Sequence, residues 1–480
     1  MSETVLYTGG VVRAMSESAE HGAREETPAA RAEALVTRDG LVAGAGSNED
    51  MRALAGRSAR VVNLSGATVL PGFIDTHPHL FHFSLLAYPL VKLFDTACHD
   101  DIVARIRTRA ATTADGEWIC CSPVGEPHYF LRRSWHDLAE GLLPDRHVLD
   151  RASRAHPIWL QAWGPTTPNV CVFNSAALRE LGLTRASPDR AGNVWIEKDR
   201  DGEPTGRLRG SVNTYYSGDA YMDELLCKLP LLDPSVALPA TLEGIGDYHR
   251  MGVTTIYEGH AMGAAEISAF QAIRQMGQLR MRVLTSLEAE TYALPWDRPL
   301  TEEQFVANLA LAAGMKTVDD DLLRHNGVTL SRGGPCNPGF LRMHQPYKGP
   351  YGEPTTGRTF VSQQKERIAL DYCADHGLRL NFIGTGYADH DEFLANAEAL
   401  ARRVPIADRK WILQHNYLCT QDHARRYADL GFLITTSMSF SCAKGDLMAE
   451  RIGPHVWKDL IPLRRLLRAG LTVGCGSDWG

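Results

Sequence analysis

Short apolar runs rich in Val, Ile, Leu and Thr recur along most of this chain, separated by longer stretches in which apolar residues return every three to four positions. The first pattern predicts buried strands and the second amphipathic helices. Strands are expected at Val69 to Asp75, Val253 to Glu258, Met281 to Leu287, Gly327 to Arg332, Leu378 to Gly384, Lys410 to His415, Phe432 to Ser437 and Thr472 to Asp478. Helices are expected between them at Leu238 to Met251, Ala264 to Met276, Glu302 to Ala313, Ser362 to His376, Asp391 to Arg403 and Asp422 to Leu430. Strands alternating with helices signal a parallel sheet, and eight such units predict an α/β chain folded as a (β/α)8 TIM-like barrel over residues 69–480. Chemistry on that architecture sits at the carboxyl ends of the strands.

The flanks read differently. Residues 1–68 carry short strand-like runs broken by glycine (Val5 to Tyr7, Val11 to Arg13, Leu35 to Thr37, Leu41 to Ala43, Ala59 to Leu64), which predict a small N-terminal β-layer, part of a β-sandwich domain. The polar stretch from Ser16 to Ala32 reads as a loop. A large insertion, about residues 95–238, separates the first two barrel strands and contains strand-like pieces at Trp118 to Pro123 and Pro157 to Trp163. An insertion after a barrel strand falls on the active face, so it is expected to form a lid or wall, with Trp163, Phe173, Tyr215 and Tyr216 as candidate lining. The eighth strand runs into Asp478-Trp479-Gly480 with no helix after it. A parallel strand left uncovered would expose an apolar face, so the expectation is a chain cut short of its last helix and its remaining sandwich strands.

The first strand ends in Asp75-Thr76-His77-Pro78-His79. Histidines at i and i+2 share one face of a strand, and Pro78 places the pair at the strand's end. Two neutral imidazoles on one edge supply half of a tetrahedral metal site, and two surface histidines beside a turn are the plainer alternative. The composition changes the picture only by exclusion. A chain of 480 residues, 44% apolar and 22% charged, is an ordinary globular protein. A net charge of -7 without a long basic block argues against nucleic acid or an anionic membrane as partner and leaves a small-molecule substrate. With no signal peptide and no span-length apolar run, the expected location is the cytoplasm. Ten cysteines without CxxC spacing predict mostly buried thiols.

With PGFIDTHPHL around His77 and His79, LQHN at Leu413 to Asn416 and GSD at Gly476 to Asp478, the chain resembles the amidohydrolase superfamily, in the branch of N-substituted formamide deformylase-like enzymes. FNSAAL (Phe173 to Leu178), DGEPTGRLRG (Asp201 to Gly210) and MGVTTIYEG (Met251 to Gly259) are further landmarks. The resemblance implies that His77 and His79 bind metal, that His415 ligates or stabilises the transition state, and that Asp478 is both ligand and general base. It also implies a zinc-like divalent ion and hydrolysis of a carbon-nitrogen bond, as in a non-peptide amide. Three positions depart from the pattern. Thr329 stands where many relatives carry a bridging lysine, and Asn381 and Asn169 stand where they carry histidines, leaving a second metal without its usual ligands. A single-metal hydrolase is therefore the leading reading. A remodelled lyase or decarboxylase and a non-catalytic ligand-binding relative are the alternatives. Glu126, His128, Glu258, His344, His376, His390 and Cys336 are candidate substitutes, some with plainer readings: His376 ends a helix, and His390 with Asp389 and Asp391 marks a helix start. Asn174 is expected to fix the insertion against the site.

Overall fold

The computed structural model describes residues 3–15, 31–125, 133–162, 166–231, 234–316 and 319–478. Glu126, His128, Trp163, Trp479, Gly480 and most of the 16–32 stretch lie outside them. The chain divides into two compact units, Met1–Phe73 and Ile74–Gly480. In the first, a four-stranded sheet orders Leu41–Gly46, Ala34–Arg38, Thr4–Thr8 and Arg60–Asn63, and a three-stranded sheet joins Arg31–Ala32, Val11–Arg13 and Thr68–Val69. It also holds a helix, Asn48–Ala55, that the strand pattern hid; Ser47 caps it by accepting the Asp50 N–H.

The second unit is built on an eight-stranded parallel sheet, taken in chain order: Phe73–Asp75, Val253–Glu258, Arg282–Glu288, Leu323–Ser331, Arg379–Gly384, Ile412–His415, Leu433–Thr436 and Val473–Cys475. All eight fall where the apolar runs place them. The Thr76 N–H reaches the Cys475 carbonyl at 3.4 Å and the Asp478 N–H reaches the His77 carbonyl at 2.7 Å, so the first and eighth strands meet and the sheet nearly closes into a barrel.

Helices cover the strands through one apolar layer that includes Phe270, Phe305, Phe382, Phe393, Trp411 and Tyr427, all fully buried. Their ends follow local chemistry. Thr301 and Gln304 form a capping box before Glu302–Met315, and Ser362 caps Gln363–His376, which stops at left-handed Gly377. Each such cap contributes roughly 1 kcal/mol. One expected boundary is corrected. The helix placed at Asp391 begins at Tyr387, because its cap is Gly386, whose N–H is taken by Asp389 from the third helical position, and glycine offers no side chain to announce a start. His390 thus lies inside the helix, fully buried against the Tyr427 hydroxyl at 3.0 Å.

Between the first two strands, a seven-stranded mixed sheet runs from Val91–Leu93 through Ile119–Val124, Ile158–Leu160, Asn169–Phe173, Pro204–Gly210 and Val194–Lys198 to Arg190–Ala191. It has its own apolar clusters. Phe173 is buried in one of them rather than lining a pocket. Asn174 likewise acts within the insertion: it caps Ser175–Leu181, accepts the Ile158 N–H and donates to the Ser153 and His156 carbonyls. All ten cysteines are free, and five rather than most are buried. No helix among the described residues is long and apolar enough to cross a membrane.

Candidate metal centre

The geometry starts from Asp75, the last residue of the first strand. Its buried carboxylate accepts the N–H groups of His77 and Ser477, each at 3.0 Å, and the Ser477 hydroxyl at 2.6 Å. With the Asp478 N–H on the His77 carbonyl, two segments 402 positions apart become one rigid corner. The side chains rising from it converge. His77 Nε2 lies 3.1 Å from His79 Nε2 and 2.9 Å from Asp478 Oδ1, and His79 Nε2 lies 3.6 Å from the same oxygen. His415, ending the sixth strand, brings Nδ1 to 3.9 Å from it. Among the described residues, two sets of ligand atoms lie within 4.8 Å of one another: His77, His79 and His260, and His77, His415 and Asp478. The four residues read from the sequence are therefore neighbours, and His260 joins them unannounced.

Electrostatics suits a cation. Burial drives the His79, His260 and His415 imidazoles below their ordinary pKa, in the last two cases well below, so each is held neutral with a lone pair to offer. Burial alone would raise the Asp478 carboxyl, but the facing His77 ring and the hydrogen bonds from His77 and His79 hold it well below the usual carboxylate range. An ionised carboxylate with a His77 nitrogen at 2.9 Å and a His79 nitrogen at 3.6 Å, beside the neutral His260 and His415 rings, is the donor set a zinc-like ion takes. These residues fit the metal that the sequence implies.

Backbone strain concentrates at the same place. Of eleven non-glycine residues with positive φ among those described, six are His79, Tyr216, Ala261, His415, Asn416 and Asp478. Each costs on the order of 1–3 kcal/mol and persists where surrounding structure enforces it, as at functional sites.

Other candidates resolve individually. Glu258 accepts the Phe81 N–H at 3.0 Å and anchors the start of Leu80–Ala87; burial pushes it up to about 8. Thr329 and Asn381 both donate to the Gly259 carbonyl, at 2.5 and 2.9 Å. Asn169 bonds Asn213 at 3.0 Å, and exposed His344 pairs with Asp391 at 2.8 Å. His376 bonds the Tyr372 carbonyl of its own helix. Burial raises the Cys336 thiol to about 11, too high for a ready thiolate ligand. From the insertion, Tyr216 Oη lies 2.8 Å from His260 Nε2, and the Tyr215 ring centre lies 5.8 Å from that of His79.

Three groups besides His260 escaped the sequence reading. The side-chain amides of Gln414 and Asn416 are fully buried and have no hydrogen-bond partner among the described residues. Lys444, from helix Ser439–Ile452 after the seventh strand, is buried over the Phe440 ring, and burial pushes its ammonium down to about 7 against the pull of Asp478. Gln414 and Asn416 flank His415, which is the signal that could have found them.

A model of the amidohydrolase family matches residues 60–480. An N-substituted formamide deformylase of Arthrobacter pascens is 24% identical over 476 residues, covering 93% of this chain and 77% of that protein. An exoenzymes regulatory protein of Pectobacterium carotovorum is 23% identical over 460 residues, covering 92% and 89%. A crystal structure of an uncharacterized metal-dependent hydrolase from Pyrococcus furiosus superposes with a TM-score of 0.69 at 18% identity, covering 99% of this chain and 85% of that one; this likeness speaks for the fold.

Proposed function

The chain belongs to the amidohydrolase family, and from that premise we propose that it is a single-metal hydrolase cleaving a non-peptide amide or formamide bond of a small molecule. The observation that carries the proposal is the convergence of His77, His79 and Asp478 within hydrogen-bond or ion-pair distance in a buried corner. Likeness to a formamide deformylase supports the substrate class.

In this reading His77, His79 and Asp478 hold the ion, with His415 beside them. A divalent cation held there, taken to be zinc, would supply Lewis-acid chemistry, lowering the pKa of a water molecule towards neutrality and polarising the scissile carbonyl. Asp478, ionised at neutral pH, takes the proton of the attacking water and delivers it to the departing nitrogen. His415, neutral through burial, has an Nδ1 with no hydrogen-bond partner among the described residues and stabilises the developing oxyanion by hydrogen bonding. The side-chain amides of Gln414 and Asn416, without partners among the described residues, offer donors and acceptors that match an amide substrate.

The test is turnover of N-substituted formamides and related amides in oxygen-18 water by zinc-loaded wild type and Asp478→Asn. Oxygen-18 in the acid product and a loss of at least about a thousandfold in kcat for the variant, with an unchanged melt, are expected. Near-wild-type turnover by Asp478→Asn would end the proton-transfer role, and product formed without solvent oxygen would point to a lyase.

A further inference from the structure

We propose that His260 is a ligand of the metal, presented by a turn whose two flanking peptide groups are gripped from three neighbouring strands. The inference rests on the metal-dependent reading above and adds a residue to it.

His260 lies two positions beyond the end of the second strand, and its ring centre is 5.5 Å from that of His77, 5.0 Å from His79 and 5.5 Å from His415. One of its nitrogens is within 4.8 Å of ligand nitrogens of both His77 and His79. The residue is 5% exposed; Nε2 is held by the Tyr216 hydroxyl at 2.8 Å, and Nδ1 has no hydrogen-bond partner among the described residues. Leaving a buried ring nitrogen unpaired costs roughly what a lost hydrogen bond costs, and a cation in the midst of three other ligating groups removes that cost.

The backbone carries the second line of argument. Ahead of His260, the Gly259 carbonyl accepts from Thr329 Oγ1 on the fourth strand at 2.5 Å and from Asn381 Nδ2 on the fifth at 2.9 Å. Asn381 Nδ2 also reaches Thr329 Oγ1 at 2.9 Å, so the two clamp residues brace each other. Behind it, the Ala261 N–H donates to Glu288 Oε2 on the third strand at 2.5 Å, while Glu288 Oε1 receives the Ser331 hydroxyl. Ala261 is held at φ 54°, a conformation alanine rarely adopts. Thr329 and Asn381 are fully buried and Glu288 nearly so, and no backbone ladder requires these bonds. Their combined effect is to fix where the His260 ring emerges, which is the task of groups standing behind a metal ligand. Thr329 and Asn381 are thus positioning residues.

The experiment measures zinc affinity by chelator competition, and the ligand-field spectrum of the cobalt(II)-loaded protein, for full-length wild type, His260→Gln, Thr329→Val and His77→Ala. Expected for His260→Gln is a loss of zinc affinity of about 100-fold or more with altered cobalt bands; for Thr329→Val, which keeps the side-chain shape, a loss of about 10-fold. Circular dichroism melts establish that each variant is folded, and Thr329→Val serves if His260→Gln does not fold. Zinc affinity within about twofold of wild type and an unchanged cobalt spectrum in both variants, while His77→Ala loses the ion, would overturn the role of His260 and leave the metal reading standing. Retention of the ion by His77→Ala as well would overturn both.

Discussion

Replacing Asp75 by alanine is expected to destabilise the fold and loosen the metal centre together, although Asp75 donates no ligand. Its carboxylate accepts three hydrogen bonds, one from the buried His77 N–H, one from the half-buried Ser477 N–H and one from the Ser477 hydroxyl. Hydrogen bonds to a charged acceptor contribute roughly 1.5–3 kcal/mol each, and a buried donor left unpaired costs about 1–3 kcal/mol. The three share one acceptor and are not additive, so Asp75→Ala should cost about 3–5 kcal/mol, a large part of a typical total of about 5–15 kcal/mol. Asp75→Asn keeps Oδ1 for the two N–H groups and lets the Ser477 hydroxyl turn to accept from the new amide, so it should cost only about 1 kcal/mol. Urea unfolding followed by tryptophan fluorescence measures both. Because the bonds fix His77 and carry Ser477 beside Asp478, zinc affinity should also fall about 10- to 100-fold in Asp75→Ala. A stability within about 0.5 kcal/mol of wild type, or equal damage from Asn and Ala, would refute the view that this carboxylate joins the two strand ends.

Two further outcomes concern parts of the barrel away from the site. Burial depresses the His325 imidazole to about 4, so below its unfolded value of 6.5 the unfolded chain binds a proton that the fold refuses; the contribution is complete above pH 6.5 and lost as pH falls through 4, reaching about 3 kcal/mol. His325→Leu should flatten the acid limb of the stability profile in that window, and a limb of unchanged steepness would count against it. Arg332 is buried with its guanidinium 2.7 Å from buried Glu366 and paired also with Glu392. Arg332→Ala strands the Glu366 charge and should cost about 3–5 kcal/mol in chemical unfolding, whereas adding Glu366→Leu should recover part of it; a double variant weaker than the single would contradict this.

What the sequence makes legible depends on how local the physics is. Parallel strands buried on both faces read as near-continuous apolar runs, which made the second to seventh legible; the first and eighth show apolar runs too, although Phe73, Ile74 and Cys475 are exposed. His77 and His79 announce themselves by spacing, whereas His415 and Asp478 were reached through the resemblance of LQHN and GSD to the family's motifs. His260 has no spaced partner. It sits in a turn, and the residues that hold its flanking peptide groups, Glu288, Thr329 and Asn381, arrive from strands 28 to 121 positions downstream; only its place just past a strand's carboxyl end could have drawn attention to it. Thr329 and Asn381 read as departures from a familiar pattern because their bonds to the Gly259 carbonyl are invisible until the strands are side by side. Helix Ser439–Ile452 went unread because its Ser, Cys and Gly are weak helix formers, yet it places Phe440 5.5 Å from His415 and Lys444 close enough to feel Asp478. The common cause is closure. Until the eighth strand meets the first, His77 and Asp478 are separated by nearly the whole described chain; with Asp75 and Ser477 joining the strand ends, residues following the first, second, sixth and eighth strands come together. The site is therefore a property of strand order, and a substitution at the seam reaches it without touching any group that performs chemistry.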